Sequence, residues 1–300
     1  MYVVLGATGN TGAVVARKLL EMGEKVRAVG RDSYKLAPLT ELGAETAIAD
    51  VNDASALTKA FAGAQGAYLM IPPQISAADF LAAEDKISDA ITEAVRVSGI
   101  SHVLMLSSIG AQHEKKTGPI VPLHNFEEKL KQLPGLTALF LRPAYFMENL
   151  LMMIGLIQSM GFAAGSVEGE LKFPMIAARD IGEAAAKTLV EQDFTGFSTR
   201  ELLGPRDISN DEAAAVIGAA IGKPKLSYKT FPGFLVEQGL KQMGLPGKTA
   251  ALMTEMSDAQ NDGLLNPLEP RSEKNSTPTT IEEFVRDVFV PAYNKKAAKA

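Results

Sequence analysis

Short apolar segments alternate with longer amphipathic segments through the first half of the chain. Six apolar segments have the composition of buried strands in a parallel sheet; they read YVVLGA, KVRAVG, ETAIAD, GAYLMI, HVLMLSS and TALFLRP. Between them lie AVVARKLLEMG, SALTKAFAG, DKISDAITEAVRVSG and HNFEEKLKQL, which carry apolar residues at helical spacing. Most of these end at glycine, as helices often do. The alternation predicts an α/β fold, a Rossmann-like, doubly wound parallel sheet.

The pattern changes after about residue 150. MMIGLIQSMGFAAG and residues 231–265 are helical or irregular in pattern, and only ELLG and KLSYKTF are candidates for short strands. Two helix starts have the spacing of a capping box: Ser209 with Glu212, and Thr280 with Glu283. We therefore expect a Rossmann domain over residues 1–150 and a smaller α+β portion over residues 151–300, packed on it, with parts of the chain returning to the sheet.

Composition excludes several classes of function. Hydrophobic residues make up 46% and charged residues 22% of the chain, as in globular proteins. A net charge of -5 without a basic stripe argues against nucleic-acid binding, and the basic tail NKKAAKA is interpreted as a solvated terminus. The absence of cysteine excludes disulfides, thiolate metal sites and cysteine nucleophiles, and no His/Asp/Glu cluster has metal-ligand spacing. Without a signal peptide or a long apolar span, we expect a cytoplasmic protein that enters no membrane.

The stretch GATGNTG joins the first predicted strand to the first predicted helix. There Gly6 permits a tight turn, Gly9 lets the backbone approach a pyrophosphate, and Gly12 lets the helix pack closely on the strand. The helix N-terminus offers free N–H groups to phosphate, and Thr8, Asn10 and Thr11 add side-chain donors. The strand, turn and helix together predict a dinucleotide-binding site, although the spacing is GxxGxxG rather than GxGxxG.

The end of the second strand bears on which dinucleotide binds. Arg31 follows Gly30, and Lys35 lies one turn further on, so two cations are available for a 2′-phosphate. This favours NADP(H). Asp32 leaves NAD(H) open, because a small backbone shift would present its carboxylate to the ribose; a solvated Arg-Asp-Ser loop is the third interpretation.

Two further strand ends supply candidate cofactor contacts. Asp50 and the backbone N–H of Val51 follow the third strand and could face the adenine, although Asp50 could equally cap the next helix. The fourth strand runs through Ile71 into Pro72 and Pro73, which form a stiff loop at the carboxyl edge of the sheet. We expect Ile71 and Pro72 beside the cofactor and Pro73 beside the substrate.

The motifs GATGNTG, VRAVGRD, SSIGA, LRPAYFMENLL, RDIGEAAAKTL and LLGPRDISNDEAAAVI stand in an order and spacing that resemble a known family. The chain is similar, over nearly its whole length, to the NmrA-like family of atypical short-chain dehydrogenase/reductases, and within it to the bacterial NADPH:quinone reductase type. The resemblance implies an NADP-preferring Rossmann domain with a small C-terminal substrate domain. It carries cofactor roles onto Gly6, Thr8, Gly9, Asn10, Thr11, Gly12, Arg31, Lys35 and Asp50.

The usual catalytic pair of short-chain dehydrogenases, a tyrosine and a lysine four residues later, is missing. If Glu128 aligns with the glutamate that follows the motif, Ile120 stands at the tyrosine position and His124 at the lysine position. His124 is then the catalytic candidate, either touching the nicotinamide ribose or donating to a substrate oxygen, or it merely caps or packs the helix. Ser107 at the end of the fifth strand is expected to face the nicotinamide, unless it serves only the turn.

Tyr145, Phe146 and Asn149 are expected to border the substrate pocket, together with Pro73. Methionines follow them, as an adaptable apolar pocket or as ordinary core. Two functions remain open. One is an NADPH-dependent reductase that passes hydride to a quinone-like or other conjugated small molecule; the other is a non-catalytic NADP(H)-binding redox sensor that acts through a protein partner. A homodimer is compatible with either.

Overall fold

The computed structural model describes residues 1–297, so the last three residues of the tail NKKAAKA lie outside the described residues. The strands are β1 (Tyr2–Val4), β2 (Val26–Gly30), β3 (Glu45–Ile48), β4 (Gly66–Leu69), β5 (His102–Leu106), β6 (Thr137–Pro143), β7 (Tyr145–Phe146), β8 (Ala163–Gly165), β9 (Phe173–Ile176), β10 (Phe197–Leu202), β11 (Asp207–Ile208) and β12 (Tyr228–Thr230). The helices are α1 (Gly12–Glu21), α2 (Ser33–Glu41), α3 (Ala54–Phe61), α4 (Phe80–Ser98), α5 (Val121–Lys131), α6 (Ile154–Met160), α7 (Ala178–Glu191), α8 (Asn210–Ala220), α9 (Gly233–Gln242), α10 (Gly247–Asn261), α11 (Ile281–Phe284) and α12 (Val290–Ala297).

Seven strands form the central sheet, in the order β10-β6-β5-β4-β1-β2-β3. The pairs from β3 to β6 are parallel. The chain leaves β1 toward β2 and β3 on one side and later returns to β4 on the other. The sheet therefore has its switch point between β1 and β4, where ligands bind in open α/β sheets. The predicted Rossmann-like fold is confirmed.

Helices cover both faces of this sheet. Alternate strand residues such as Val3, Leu69 and Met105 share one core with α3, α4 and α5. α1 and α2 contact β1, β2 and β3, and the buried α1 residues Val15 and Leu19 lie outside that core. They therefore pack against the opposite face, as right-handed crossovers require.

Two elements of this part differ from the sequence prediction. α2 was not expected, and its interior holds Pro38. The sheet has a seventh strand, β10, where only ELLG was predicted, as a short strand of the second half. The N–H of Ala138 donates to the Gly196 carbonyl at 2.9 Å, so β10 adds to the sheet beside β6.

The chain forms two compact units. The first contains Met1–Glu114, Ile120–Arg142 and Ile181–Arg200, and the second contains Lys115–Pro119, Pro143–Asp180 and the chain from Glu201 onward. The division near residue 150 stays a prediction.

The second unit has its own small sheets and core. β7 pairs with β9 in parallel, β9 with β11 antiparallel, and β8 with β12 in parallel. Phe173, Met175, Ile217, Phe284 and Phe289 are buried together. Both predicted capping boxes are confirmed at the starts of α8 and α11. Within residues 1–297, no helix has the length and apolarity that crossing a membrane requires, and no three potential metal ligands cluster.

Candidate functional site

The carboxyl ends of the parallel strands bring the predicted cofactor residues to one edge of the first unit's sheet. The loop after β1 turns tightly, because Gly6 has a φ of +62°, a conformation that L side chains rarely adopt. A Cβ on Gly12 would lie 2.3 Å from the Gly6 carbonyl oxygen. The close approach of helix and strand that the sequence predicted therefore requires glycine at position 12.

Unpaired backbone donors line the same loop. Among residues 1–297, the N–H groups of Thr8, Asn10, Thr11 and Gly12 have no hydrogen-bond acceptor, whereas the Gly9 N–H donates to the Gly6 carbonyl at 2.8 Å. Thr8, Gly9 and Asn10 are exposed. These donors stand at the N-terminus of α1, where the helix dipole favours negative charge. The arrangement can hold a pyrophosphate.

Thr11 differs from the other two expected side-chain donors, Thr8 and Asn10, in its burial and its partner. Its side chain is buried, and its Oγ1 accepts a hydrogen bond of 2.8 Å from the Tyr68 hydroxyl on β4. Thr11 therefore links the loop GATGNTG, residues 6–12, to β4. Because the Thr11 hydroxyl accepts in this hydrogen bond, its own hydrogen is not used there, and Thr8, Asn10 and Thr11 all stay predicted side-chain donors.

The loop after β2 leads directly into α2. Asp32 is the N-cap of that helix, and its carboxylate accepts the Tyr34 N–H at 2.9 Å. Arg31 and Lys35 are exposed on either side of this cap. The cap gives Asp32 a structural role that was not predicted, and Arg31 and Lys35 form no ion pair with another residue of the described range 1–297.

Asp50, by contrast, does not cap α3. That role belongs to Asp53, whose carboxylate accepts the Ala56 N–H at 3.0 Å, so the capping alternative for Asp50 is wrong. Asp50 Oδ1 instead accepts the backbone and side-chain N–H groups of Asn52, both at 2.9 Å. These hydrogen bonds, with smaller help from the nearby Arg31, lower the pKa of Asp50. The carboxyl group is an anion at neutral pH.

Two cations from different elements act on Asp50. Lys86 on α4 also lowers its pKa, after Arg31. Val51, the next residue, is half-buried against the core of the first unit, and its N–H has no acceptor within residues 1–297. The predicted adenine contacts at positions 50 and 51 are therefore sterically accessible.

The loop after β4 meets the glycine turn. A Cβ on Gly6 would lie 2.6 Å from Met70 Sδ, so the two loops are in direct contact. Ile71 is buried, Pro72 is half-buried and Pro73 is exposed. The cofactor roles of Ile71 and Pro72 and the substrate role of Pro73 stay predictions.

Ser107, directly after β5, makes a buried hydrogen bond with a carboxylate of α5. Its Oγ donates to Glu127 Oε1 at 2.5 Å, and both side chains are buried. Glu127 also receives two hydrogen bonds from the Arg142 guanidinium, at 2.9 and 2.6 Å. The hydroxyl hydrogen is engaged in a buried cluster, which we name the Ser107–Glu127–Arg142 cluster, so Ser107 Oγ has only acceptor sites left for a cofactor, and the nicotinamide contact stays a prediction.

Glu127 is a buried residue of this region that was not predicted from the sequence. A signal was present, because the buried positions of α5 include Phe126, Glu127 and Leu130, which places a carboxylate within the apolar stripe. Glu128, the residue used for alignment, is exposed and pairs with Lys131 at 2.6 Å.

His124 lies in the first turns of α5 and is half-buried. Its Nδ1 is 2.9 Å from the carbonyl oxygen of Ala111. Since a carbonyl oxygen only accepts, Nδ1 carries the proton, and Nε2 is left with a lone pair in the neutral ring. The imidazole is oriented rather than simply packed. Ile120 is buried and offers no proton.

The predicted pocket residues of the second unit lie together. Tyr145 packs edge-on against Phe173, with ring centroids 5.5 Å apart. Burial raises the pKa of Tyr145 to about 12, and a hydrogen bond with the Asn149 side chain opposes the rise. Phe146, next on β7, is half-buried. The group can present an aromatic face and a neutral hydroxyl to a flat molecule.

The family model for the NmrA-like family matches residues 2–285. The chain belongs to this family.

The chain is also similar to individual proteins. An NAD(P)H azoreductase of Xenophilus azovorans is 28% identical over 259 residues, which are 85% of this chain and 86% of the azoreductase. The NADPH-dependent quinone oxidoreductase QOR2 of Escherichia coli, crystallised with NADPH, superposes with a TM-score of 0.82 and 22% identity, covering 96% of this chain and all of that one. The triphenylmethane reductase of Citrobacter sp., crystallised with NADP(H), gives a TM-score of 0.76 and 21% identity, covering 95% and 99%. The two structures share the fold of this chain.

Proposed function

We propose that this protein is an NADPH-dependent reductase that transfers hydride to a quinone-like or other conjugated small-molecule acceptor. The observation that carries the proposal is the row of unpaired N–H groups at the start of α1, at the switch point of the sheet. Arg31 and Lys35 follow the adjacent strand and stay exposed. Together they match a dinucleotide with a 2′-phosphate.

The residues fit the cofactor on structural grounds. Gly12 cannot carry a Cβ, and the N–H groups of Thr8, Asn10, Thr11 and Gly12 point to no protein acceptor within residues 1–297. They would hold the pyrophosphate. Arg31 and Lys35 would hold the 2′-phosphate, and Asp50 with Val51 would border the adenine. When bound, NADPH supplies a hydride at its nicotinamide ring.

We propose that His124 donates the proton that the reduced acceptor takes up. Hydride addition to a quinone or an azo group leaves an anion that must take up one proton to complete a two-electron reduction. The Ala111 carbonyl fixes the ring through Nδ1, so Nε2 of the imidazolium can donate that proton and be protonated again from water. A conjugated acceptor needs less acid assistance than an isolated carbonyl, which is consistent with isoleucine at position 120.

The acceptor class is inferred from chemistry and supported by relatives. The azoreductase, the quinone oxidoreductase and the triphenylmethane reductase are each named for a conjugated acceptor. Tyr145, Phe146 and Asn149 are the residues of the second unit that we propose to contact it. Aromatic and apolar surfaces with a few polar groups suit a flat ring of this kind.

The test is NADPH oxidation by the purified protein with a panel of quinones and azo dyes. NADPH binding is measured on the same sample by the fluorescence of the nucleotide itself, since the chain contains no tryptophan. We expect saturable turnover with at least one acceptor and little turnover with simple ketones. Binding of NADPH without turnover on any acceptor would contradict the reductase.

The second candidate is a redox sensor that binds the dinucleotide without turnover. One observation favours it: Ile120, at the position of the missing tyrosine, is 7% exposed and cannot donate a proton. In that case NADP⁺ and NADPH would bind with different affinities and change the association with a protein partner. Affinity for each form, measured in parallel with turnover, separates the two functions.

A further inference from the structure

A buried carboxyl group outside the proposed proton path holds one of the site's loops. Glu84 lies on α4 and is 3% exposed. Its Oε1 accepts the backbone N–H of Gln74 at 2.7 Å. The Gln74 side chain in turn donates from Nε2 to the Pro72 carbonyl at 2.6 Å. Glu84 therefore anchors the turn Pro72–Gln74 from within.

Glu84 has no compensating cation among the described residues. The charged side chains next to it on α4 face other groups: Asp85 pairs with Lys129 of α5 at 2.8 Å, and Lys86 lowers the pKa of Asp50. Burial raises the pKa of Glu84 to about 7, and the Gln74 N–H opposes the rise. A glutamine would accept the same hydrogen bond without the cost of burying an ionisable group, so an anchoring role alone does not require a carboxyl group.

The turn Pro72–Gln74 lies near the glycine-rich loop GATGNTG, residues 6–12. It follows β4, which neighbours β1 at the switch point, and Met70 just before it contacts Gly6. A displacement of this turn alters the wall against which a dinucleotide would lie. A movement of the Glu84 carboxyl group would therefore move the turn Pro72–Gln74, and the contact between Met70 and Gly6 would pass that movement to the loop after β1.

We propose that Glu84 is a positioning residue for the dinucleotide site, and that affinity for NADPH follows the protonation state of its carboxyl group. The inference rests on the proposed function, which brings the dinucleotide to this edge. The neutral carboxyl group stays buried and holds Gln74 in place. The ionised group is driven toward water, which loosens the turn. NADPH affinity therefore falls as the pH rises across neutrality.

The first experiment measures the dissociation constant of NADPH from pH 5.5 to 8.5 for the wild type, Glu84→Gln and Glu84→Ala. Glu93→Gln, an exposed position on the same helix, is the control. The ratio of wild-type to Glu84→Gln constants removes the titration of the nucleotide's own phosphate. We expect this ratio to rise about threefold or more with pH, and Glu84→Ala to bind weakly at every pH. The control should follow the wild type.

The second experiment follows amide hydrogen exchange at Gln74 in the protein without nucleotide. Exchange should be slow in Glu84→Gln at all pH values, and fast in Glu84→Ala. In the wild type its protection relative to Glu84→Gln should fall as the pH rises. Equal protection in all variants, or the same pH profile of affinity in wild type and Glu84→Gln, would overturn this inference alone. A wild type that binds no NADPH at any pH would overturn the proposed function and this inference with it.

Discussion

At the scale of single residues, the site is a set of groups whose partners decide what they can do. Asp32 looked like a competitor for the ribose, yet it caps α2 through the Tyr34 N–H. Arg31 beside it stays exposed and lies close enough to Asp50 to lower the pKa of that carboxyl group. The preference for NADPH should therefore depend on Arg31.

We expect Arg31→Ala to weaken NADPH binding about tenfold or more, because a charge-assisted contact with the 2′-phosphate is lost. NADH binding should change by less than about threefold, since that nucleotide lacks the phosphate. The measurement is the dissociation constant of each nucleotide by titration. Arg17→Ala, an exposed arginine on α1, is the control. Equal losses for both nucleotides would show that the phosphate is held elsewhere.

His124 allows a second test at this scale. Its Nδ1 is fixed by the Ala111 carbonyl, so Nε2 is the group available for proton transfer. We expect His124→Ala to lower kcat about tenfold or more while the KM for NADPH stays nearly constant. His102→Gln, at the amino end of β5, is the control, and unchanged turnover in His124→Ala would remove His124 from the mechanism.

At the scale of elements, the junction of β1 and α1 depends on glycine for reasons of space. A Cβ at position 12 would lie 2.3 Å from a backbone oxygen, whereas at Gly239, within α9, it would meet nothing within 4 Å. Gly12→Ala should lower the free energy of unfolding by about 1–3 kcal/mol and weaken NADPH binding. Gly239→Ala should be neutral or stabilising by up to about 1 kcal/mol. Urea unfolding of both variants measures the difference, and equal effects would contradict the packing argument.

The Ser107–Glu127–Arg142 cluster joins α5 to two strands of the sheet. Glu127→Gln should destabilise the protein by about 3–5 kcal/mol, because it leaves the buried Arg142 guanidinium without its counter-charge. The neighbouring Glu128→Gln removes only an exposed ion pair with Lys131 and should change stability by less than about 1 kcal/mol. Thermal unfolding of the two variants gives the comparison. A small effect at Glu127 would contradict the claim that the buried guanidinium depends on this counter-charge.

Local sequence signals predicted most of these elements. The capping boxes at Ser209 and Thr280 were recognised because their chemistry is contained within four residues. α2 was missed because Pro38 lacks a backbone N–H and normally interrupts a helix. Glu127 was missed because its partner Arg142 is distant in sequence. The partners of buried polar groups come from the fold, and a local pattern does not contain them.

At the scale of the whole molecule, Glu84 links stability to pH. The folded state raises its pKa from 4.5 to about 7, so the folded protein binds this proton more tightly than the unfolded chain does. Its contribution to stability is complete below pH 4.5 and is lost as the pH rises through 7. Between pH 5 and pH 8, the wild type should lose about 3 kcal/mol relative to Glu84→Gln. Denaturant unfolding across this range is the measurement, and parallel pH profiles would contradict the burial of an ionisable group.

The first unit consists of three separate segments of the chain, which affects the order in which it forms during synthesis. Its sheet includes β10, and its Ile181–Arg200 segment follows a long stretch that belongs to the other unit. During synthesis, the strands β1 to β6 leave the ribosome well before β10. Until β10 follows, β6 is an unpaired edge of the sheet. Phe140 on β6 then lacks the Phe197 ring that stacks on it in the complete fold. A fragment that ends near residue 150 would keep the whole glycine loop and still lack the strand that closes its sheet. The sheet of the first unit is therefore completed late in the synthesis of the chain.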